Sequence, residues 1–138
     1  MTPNKARAYF MLAGYLFNPD NLTAAIGLQP TTTNSAGSGS SLDKPALSTW
    51  ELSTDTITGV TDVYALVDIL IKQVDPKKEQ ILQAVEHFNL SPRMTIVLTL
   101  SADQGEICPD VGLGARAIRF LADLGAFINI EYELSHRI

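Results

Sequence analysis

Polar and apolar positions alternate with different periods along this chain, and the changes of period divide it into elements. Ala8-Tyr9-Phe10-Met11-Leu12-Ala13-Gly14-Tyr15-Leu16 is an apolar run without alternation, which predicts a strand covered on both faces and central in its sheet. In Asn18-Pro19-Asp20, Asn18 is a helix cap, Pro19 fits the first helical position and Asp20 complements the positive end of the dipole. A short helix should run to about Ile26, where Gly27 offers a left-handed stop and Pro30 prevents continuation. Residues 31–46 are mostly Thr, Ser, Gly and Asn and predict a flexible loop, because little there offsets the entropy of ordering. Thr49 to Ser53 then alternates, with Trp50 and Leu52 on one side of a half-buried strand.

From Thr61 the period lengthens. Val63, Leu66, Val67, Leu70, Ile71 and Val74 form one helical face, capped by Thr61 or Asp62. Asp75-Pro76 restarts the pattern as a second cap and first position, and Ile81, Leu82, Val85 and Phe88 continue the stripe. Two consecutive helices, or one sharply kinked, are expected. Met94 to Leu100 returns to period two, with Ile96, Leu98 and Leu100 toward a core and Thr95, Val97 and Thr99 toward a wetter face. A helical stripe of Ala117, Ile118, Leu121 and Leu124 ends at Gly125. In Phe127 to Leu134, Ile128, Ile130, Tyr132 and Leu134 are expected in the core, with Asn129, Glu131 and Glu133 in water.

The order β-α-β-α-α-β-α-β predicts a single α+β domain over residues 1–138. Its sheet is antiparallel or mixed, helices pack on one face, and the other face stays partly open. A chain of 138 residues buries about two thirds of its unfolded surface and needs no disulfide or metal to hold it. With 46% hydrophobic and 18% charged residues, the composition is that of a globular chain. The longest apolar stretch, Ala8 to Phe17, is short of the ~20 residues of a spanning helix. Met1-Thr2-Pro3-Asn4-Lys5 lacks the features of a secretory leader, and Cys108 has no disulfide partner, so a cytoplasmic location is expected. Asn21-Leu22-Thr23 fits the glycosylation pattern, but its place at a helix start explains it better. A formal charge of -5 argues against nucleic acid, whose phosphates are held by clustered Lys and Arg. The same charge would favour a basic protein partner through faster association, with solubility alone as the default explanation of the acidity.

Several short motifs resemble a bacterial family catalogued as domain of unknown function 4279. They are the opening Tyr9-Phe10 strand leading to Phe17-Asn18-Pro19-Asp20, then Ile26-Gly27-Leu28-Gln29-Pro30-Thr31, Ser48-Thr49-Trp50-Glu51-Leu52 and Leu121-Ala122-Asp123-Leu124-Gly125-Ala126. The resemblance spans most of the chain and implies a small α+β domain with no assigned reaction and no catalytic residues to carry over. The Ser/Gly-rich insertion after Thr31 and the Gly112-Leu113-Gly114 lead into the last helix depart from it.

Candidate chemistry is sparse. Gly112-Leu113-Gly114-Ala115-Arg116-Ala117 matches a dinucleotide fingerprint, but it follows a polar turn where a buried parallel strand is required, so it reads as a helix start. His87 and His136 are the only histidines, neither at a zinc spacing, and no metal or cofactor is expected. A Cys108–His nucleophilic pair lacks a local orienting group or oxyanion donors. The carboxylate pairs Asp103/Glu106 and Glu131/Glu133 are expected to be solvated, outside any apolar run that would desolvate them for acid–base work, and fit better as a charged rim.

These features point to a non-enzymatic binding protein, monomeric or homodimeric, that engages a protein partner through the open sheet face. Neutralisation of a basic toxin is one form, and Glu51, Asn129, Glu131 and Glu133 are the candidate contacts. The alternative is a small-molecule sensor or weak enzyme whose pocket forms where the 31–46 loop folds over Tyr9, Met11 and Trp50.

Overall fold

The computed structural model describes residues 3–35, 47–59, 62–102 and 109–135. The elements in order are β1 (Lys5–Tyr15), α1 (Pro19–Ile26), β2 (Thr32–Asn34), β3 (Leu47–Ser53), β4 (Ile57–Thr58), α2 (Val63–Val74), a 3-10 turn (Asp75–Lys77), α3 (Lys78–Phe88), β5 (Ser91–Ser101), α4 (Ala115–Leu124) and β6 (Phe127–Ser135). The fold is α+β in the expected order, with β2 and β4 as short additions. The strands lie in the order β2-β3-β1-β5-β6, with β4 also paired to β1. β1 is antiparallel to β3, β4 and β5, while β6 runs parallel to β5, so the sheet is mixed.

Local chemistry sets the helix ends. The Asn18 side chain accepts the Asp20 N–H at 2.9 Å, and Gly27 closes α1 at φ 81°. This left-handed conformation costs glycine little. Asp62 caps α2 by accepting the Ala65 N–H at 3.3 Å. Asp75 does not become a second cap. It stays helical (φ -59°, ψ -41°) with its N–H bonded to the Ile71 carbonyl, and the chain passes through the 3-10 turn into α3. The Asp75 carboxylate instead accepts from Arg116 Nε at 2.8 Å, tying the turn to α4. Lys78 and Asp123 join α3 to α4 by a second ion pair.

The helices cover one face of the sheet. Ala6, Ala8, Phe10 and Leu12 of β1 point into this layer with Trp50 and Leu52 of β3 and Met94, Ile96 and Leu98 of β5, all buried. Each large side chain buried this way contributes about 1.5–3 kcal/mol. Phe120 of α4 meets Phe10 with ring centroids 5.9 Å apart, and the Trp50 indole donates to Thr23 Oγ1 at 3.0 Å, anchoring β3 to α1.

Several expectations differ in detail. β1 is central but covered on one face only; on the other, Arg7, Tyr9 and Met11 are half-buried. The run had no visible alternation because Tyr9 and Met11 are themselves apolar. On α4, Phe120 takes the inward place and Ile118 is exposed, since the stripe steps through Ala117, Phe120, Leu121 and Leu124. Thr95, expected on the wetter face, is fully buried. Part of the expected 31–46 loop is strand, with Thr32–Asn34 paired to β3; residues 36–46 lie outside the described ones. The largest difference is β6. Ile128, Ile130, Tyr132 and Leu134 do point to the helix side, in register with Met94, Ile96, Leu98 and Leu100, yet they are 43%, 45%, 73% and 57% exposed.

Among the described residues no helix is long and apolar enough to cross a membrane.

Candidate functional site

The face of the sheet opposite the described helices is organised by strand register, because residues opposite one another share a face. One row reads Glu51, Met11, Arg93, Phe127 across β3, β1, β5 and β6, and the next reads Ser53, Tyr9, Thr95, Asn129. Beyond these lie Arg7, Val97 and Glu131, then Lys5, Thr99 and Glu133. Tyr, Phe, Met and Arg are residue types enriched in protein interfaces, whereas a sheet face meant only for water carries mainly Thr, Lys and Glu.

Two of its arginines are held against rings. The Arg7 guanidinium lies 5.0 Å from the Tyr9 ring centroid, and that of Arg93 lies 4.7 Å from the Phe127 centroid. Such stacks immobilise long side chains and keep their donors available at the surface. Ser53 Oγ donates to Glu51 Oε2 at 2.6 Å, which fixes the carboxylate in the same layer. Thr95 Oγ1 and Arg93 Nε are buried without a hydrogen-bond partner. An unmet buried hydroxyl costs about 1–3 kcal/mol, so this face carries a local cost in stability.

The four expected partner contacts all fall on this face. Asn129, Glu131 and Glu133 stand exposed on β6, and Glu51 sits half-buried on β3. Glu51 is three strands from β6, about 14 Å at the usual strand spacing, and Lys5, Arg7 and Arg93 lie between. The face is therefore striped, acidic on β3 and β6 and basic on β1 and β5. Among the described residues no ion pair joins these stripes; the three ion pairs are on the helix side.

The three expected pocket residues are not brought together. Tyr9 and Met11 are on the open face, but Leu12, not Met11, is in register with Trp50, which puts the indole in the helix-covered core with no exposure. The hollow on the open face, lined by Lys5, Arg7, Thr56, Val97 and Thr99, holds about 110 Å³, below the ~300 Å³ at which small-molecule sites begin. Hollows of about 290 and 370 Å³ lie in the helix layer, between α2 and α4 and between α1 and α3.

Cys108, His136, Asp103 and Glu106 lie outside the described residues. His87 stands edge-on to Phe88, with ring centroids 4.7 Å apart. Among the described residues no cluster of three or more His, Cys, Asp or Glu could hold a metal. Gly114 begins α4 without a side-chain cap, and the segment before it makes a single bridge, Asp110 to Asp62. The strand–turn–helix of a dinucleotide site is not formed by these residues. A Cβ at Gly112 would meet the outer end of the exposed Tyr64 ring, which would have to turn aside.

The profile of the domain of unknown function DUF4279 matches residues 4–135. The chain belongs to that family. The match takes in the whole described sheet, from Asn4 before β1 to Ser135 at the end of β6. No curated protein and no solved structure matches the chain. For this DUF4279 domain the open face is consequently read from its own geometry. The sequence had not marked Arg7, Arg93 or Phe127. The signal was an alternation beginning at Lys5, before the apolar run, that places Lys5, Arg7, Tyr9 and Met11 on one side.

Proposed function

We propose that the chain is a non-enzymatic binding protein that holds a protein partner against the open face of its sheet. The observation that carries this reading is the cluster of Tyr9, Met11, Arg7 and Arg93 on the two central strands of that face, with Phe127 beside Arg93 on β6 and both guanidinium groups stacked on rings. Aromatic and Arg side chains that are half-ordered before binding lose little conformational entropy on contact, and they dominate measured interface energies. The flanking acidic positions, Glu51 on one side and Glu131 on the other, favour a partner with basic groups at the rim. The formal charge of -5 would speed its approach at low salt.

The test is affinity capture from native lysate with the full chain as bait, beside Tyr9→Ala, Arg7→Ala and a control, Gln83→Ala, on the exposed side of α3. The expected result is a stoichiometric protein whose affinity falls at least ~30-fold with Tyr9→Ala or Arg7→Ala, the size of a hot-spot loss, and is unchanged by Gln83→Ala. Recovery of no stoichiometric protein, or of one indifferent to Tyr9 and Arg7, contradicts the reading.

A further inference from the structure

β6 ends the sheet. β5 pairs with one side of it and no described strand pairs with the other, so alternate N–H and C=O groups along its nine residues point outward unpaired. The opposite edge is blunted, since β2 has only three residues. Along the helix side of β6 run Ile128, Ile130, Tyr132 and Leu134, all substantially exposed, and Ile118 of α4 is exposed as well. An apolar stripe of this extent beside an open edge is a surface that natural monomers ordinarily avoid.

We infer that the occupant of this edge is a second copy of the chain, joined through antiparallel β6–β6 pairing about a two-fold axis at Ile130. The strand is self-complementary in that register. Ile130 stands opposite Ile130 of the second copy and Ile128 opposite its Tyr132, so the exposed stripes merge into one apolar floor flanked by the two α4 helices. On the open face, Glu131 stands opposite Asn129 of the second copy, whose amide can donate to the carboxylate. Glu133 stands opposite Phe127 of the second copy, over whose ring the Arg93 guanidinium already lies.

Neighbouring registers are worse. A two-fold at Glu131 opposes Glu131 to itself, and one at Tyr132 opposes Glu131 to Glu133; like charges placed so are destabilising. A two-fold at Asn129 shortens the pairing to residues 127–131. The register at Ile130 is the longest that opposes no two carboxylates. The exposed side chains of Ile128, Ile130, Tyr132 and Leu134 from both copies would be covered together, toward the roughly 800 Å² per copy of a stable interface. The product is a continuous sheet of both copies with all helices on one side, an isologous pair of the commonest symmetry. The pairing shares Phe127, Asn129, Glu131, Glu133 and Arg93 with the proposed partner face, but self-association of the purified chain needs no partner, so the two readings fail separately.

Sedimentation equilibrium of the full chain from low micromolar to near-millimolar concentration tests it. The expected result is reversible association to twice the chain mass of 15.0 kDa. Ile130→Lys should leave a folded monomer, because Ile130 is already half-exposed in one copy. Glu133→Arg should weaken the pair about tenfold, and Arg93→Glu added to it should restore affinity, since the symmetric contact occurs twice. A chain monomeric at every concentration overturns the inference. So does a dimer indifferent to Ile130→Lys, or one that Arg93→Glu fails to restore in the Glu133→Arg background.

Discussion

β5 and β6 run side by side, parallel and in register, with the same alternation of apolar and polar residues. Met94 and Ile96 of β5 are wholly buried, while their neighbours Ile128 and Ile130 are nearly half open to solvent. The helix layer makes the difference: α4 packs against β5, while the helix side of β6 stays exposed. Alternation in a strand states which side a residue takes, and the reach of the next layer decides whether that side is core. The two faces of the sheet repeat the point. β1 carries apolar residues on both, but only Ala6, Ala8, Phe10 and Leu12 have helices above them, and Tyr9 and Met11 remain as a surface.

The sharpest way to break the comparison is to truncate register neighbours. Ile96→Ala should cost about 3 kcal/mol, as large-to-small changes in a packed core do, and Ile130→Ala less than about 1 kcal/mol when denaturant unfolding is followed at high dilution. Equal losses would mean that β6 is covered after all. Trp50→Phe comes next, with an expected loss of about 2 kcal/mol from a small cavity and from the Thr23 hydroxyl left without its indole donor. The same melt with Met11→Ala, across the sheet, should show a smaller loss. The smallest effect has the opposite sign. Thr95→Val removes a buried hydroxyl that has no partner and keeps the side-chain shape, so it should stabilise by about 1 kcal/mol in thermal unfolding. A loss of stability would mean that the hydroxyl is bonded in solution.

How much of this was legible in the sequence follows the range of the interactions. Most caps were legible because they are settled within a few residues: Asn18 with Pro19, Asp62, Gly27 and Gly125 stand where local rules put them, while Asp75, equally good locally, became the end of α2. The order of the long elements followed from their periods. β2 and β4, with three and two residues, are too short to have a period and exist because β3 and β1 offer them hydrogen bonds. The face taken by Trp50 depended on the register of β3 against β1, and the exposure of β6 on where α4 lands. Both are long-range outcomes that no window along the chain contains. At the candidate site, Asn129, Glu131 and Glu133 were legible from clean alternation. Arg7 and Arg93 were not, since both precede the apolar runs from which the strands were read.

The difference between β5 and β6 is most directly measured by hydrogen exchange of their amides as the chain is diluted. The account predicts that β5 amides stay protected throughout, while the outward amides of β6 are protected at high concentration and exchange fast at low concentration. Outward β6 amides as slow as those of β5 at every dilution, or fast at every concentration, would contradict it.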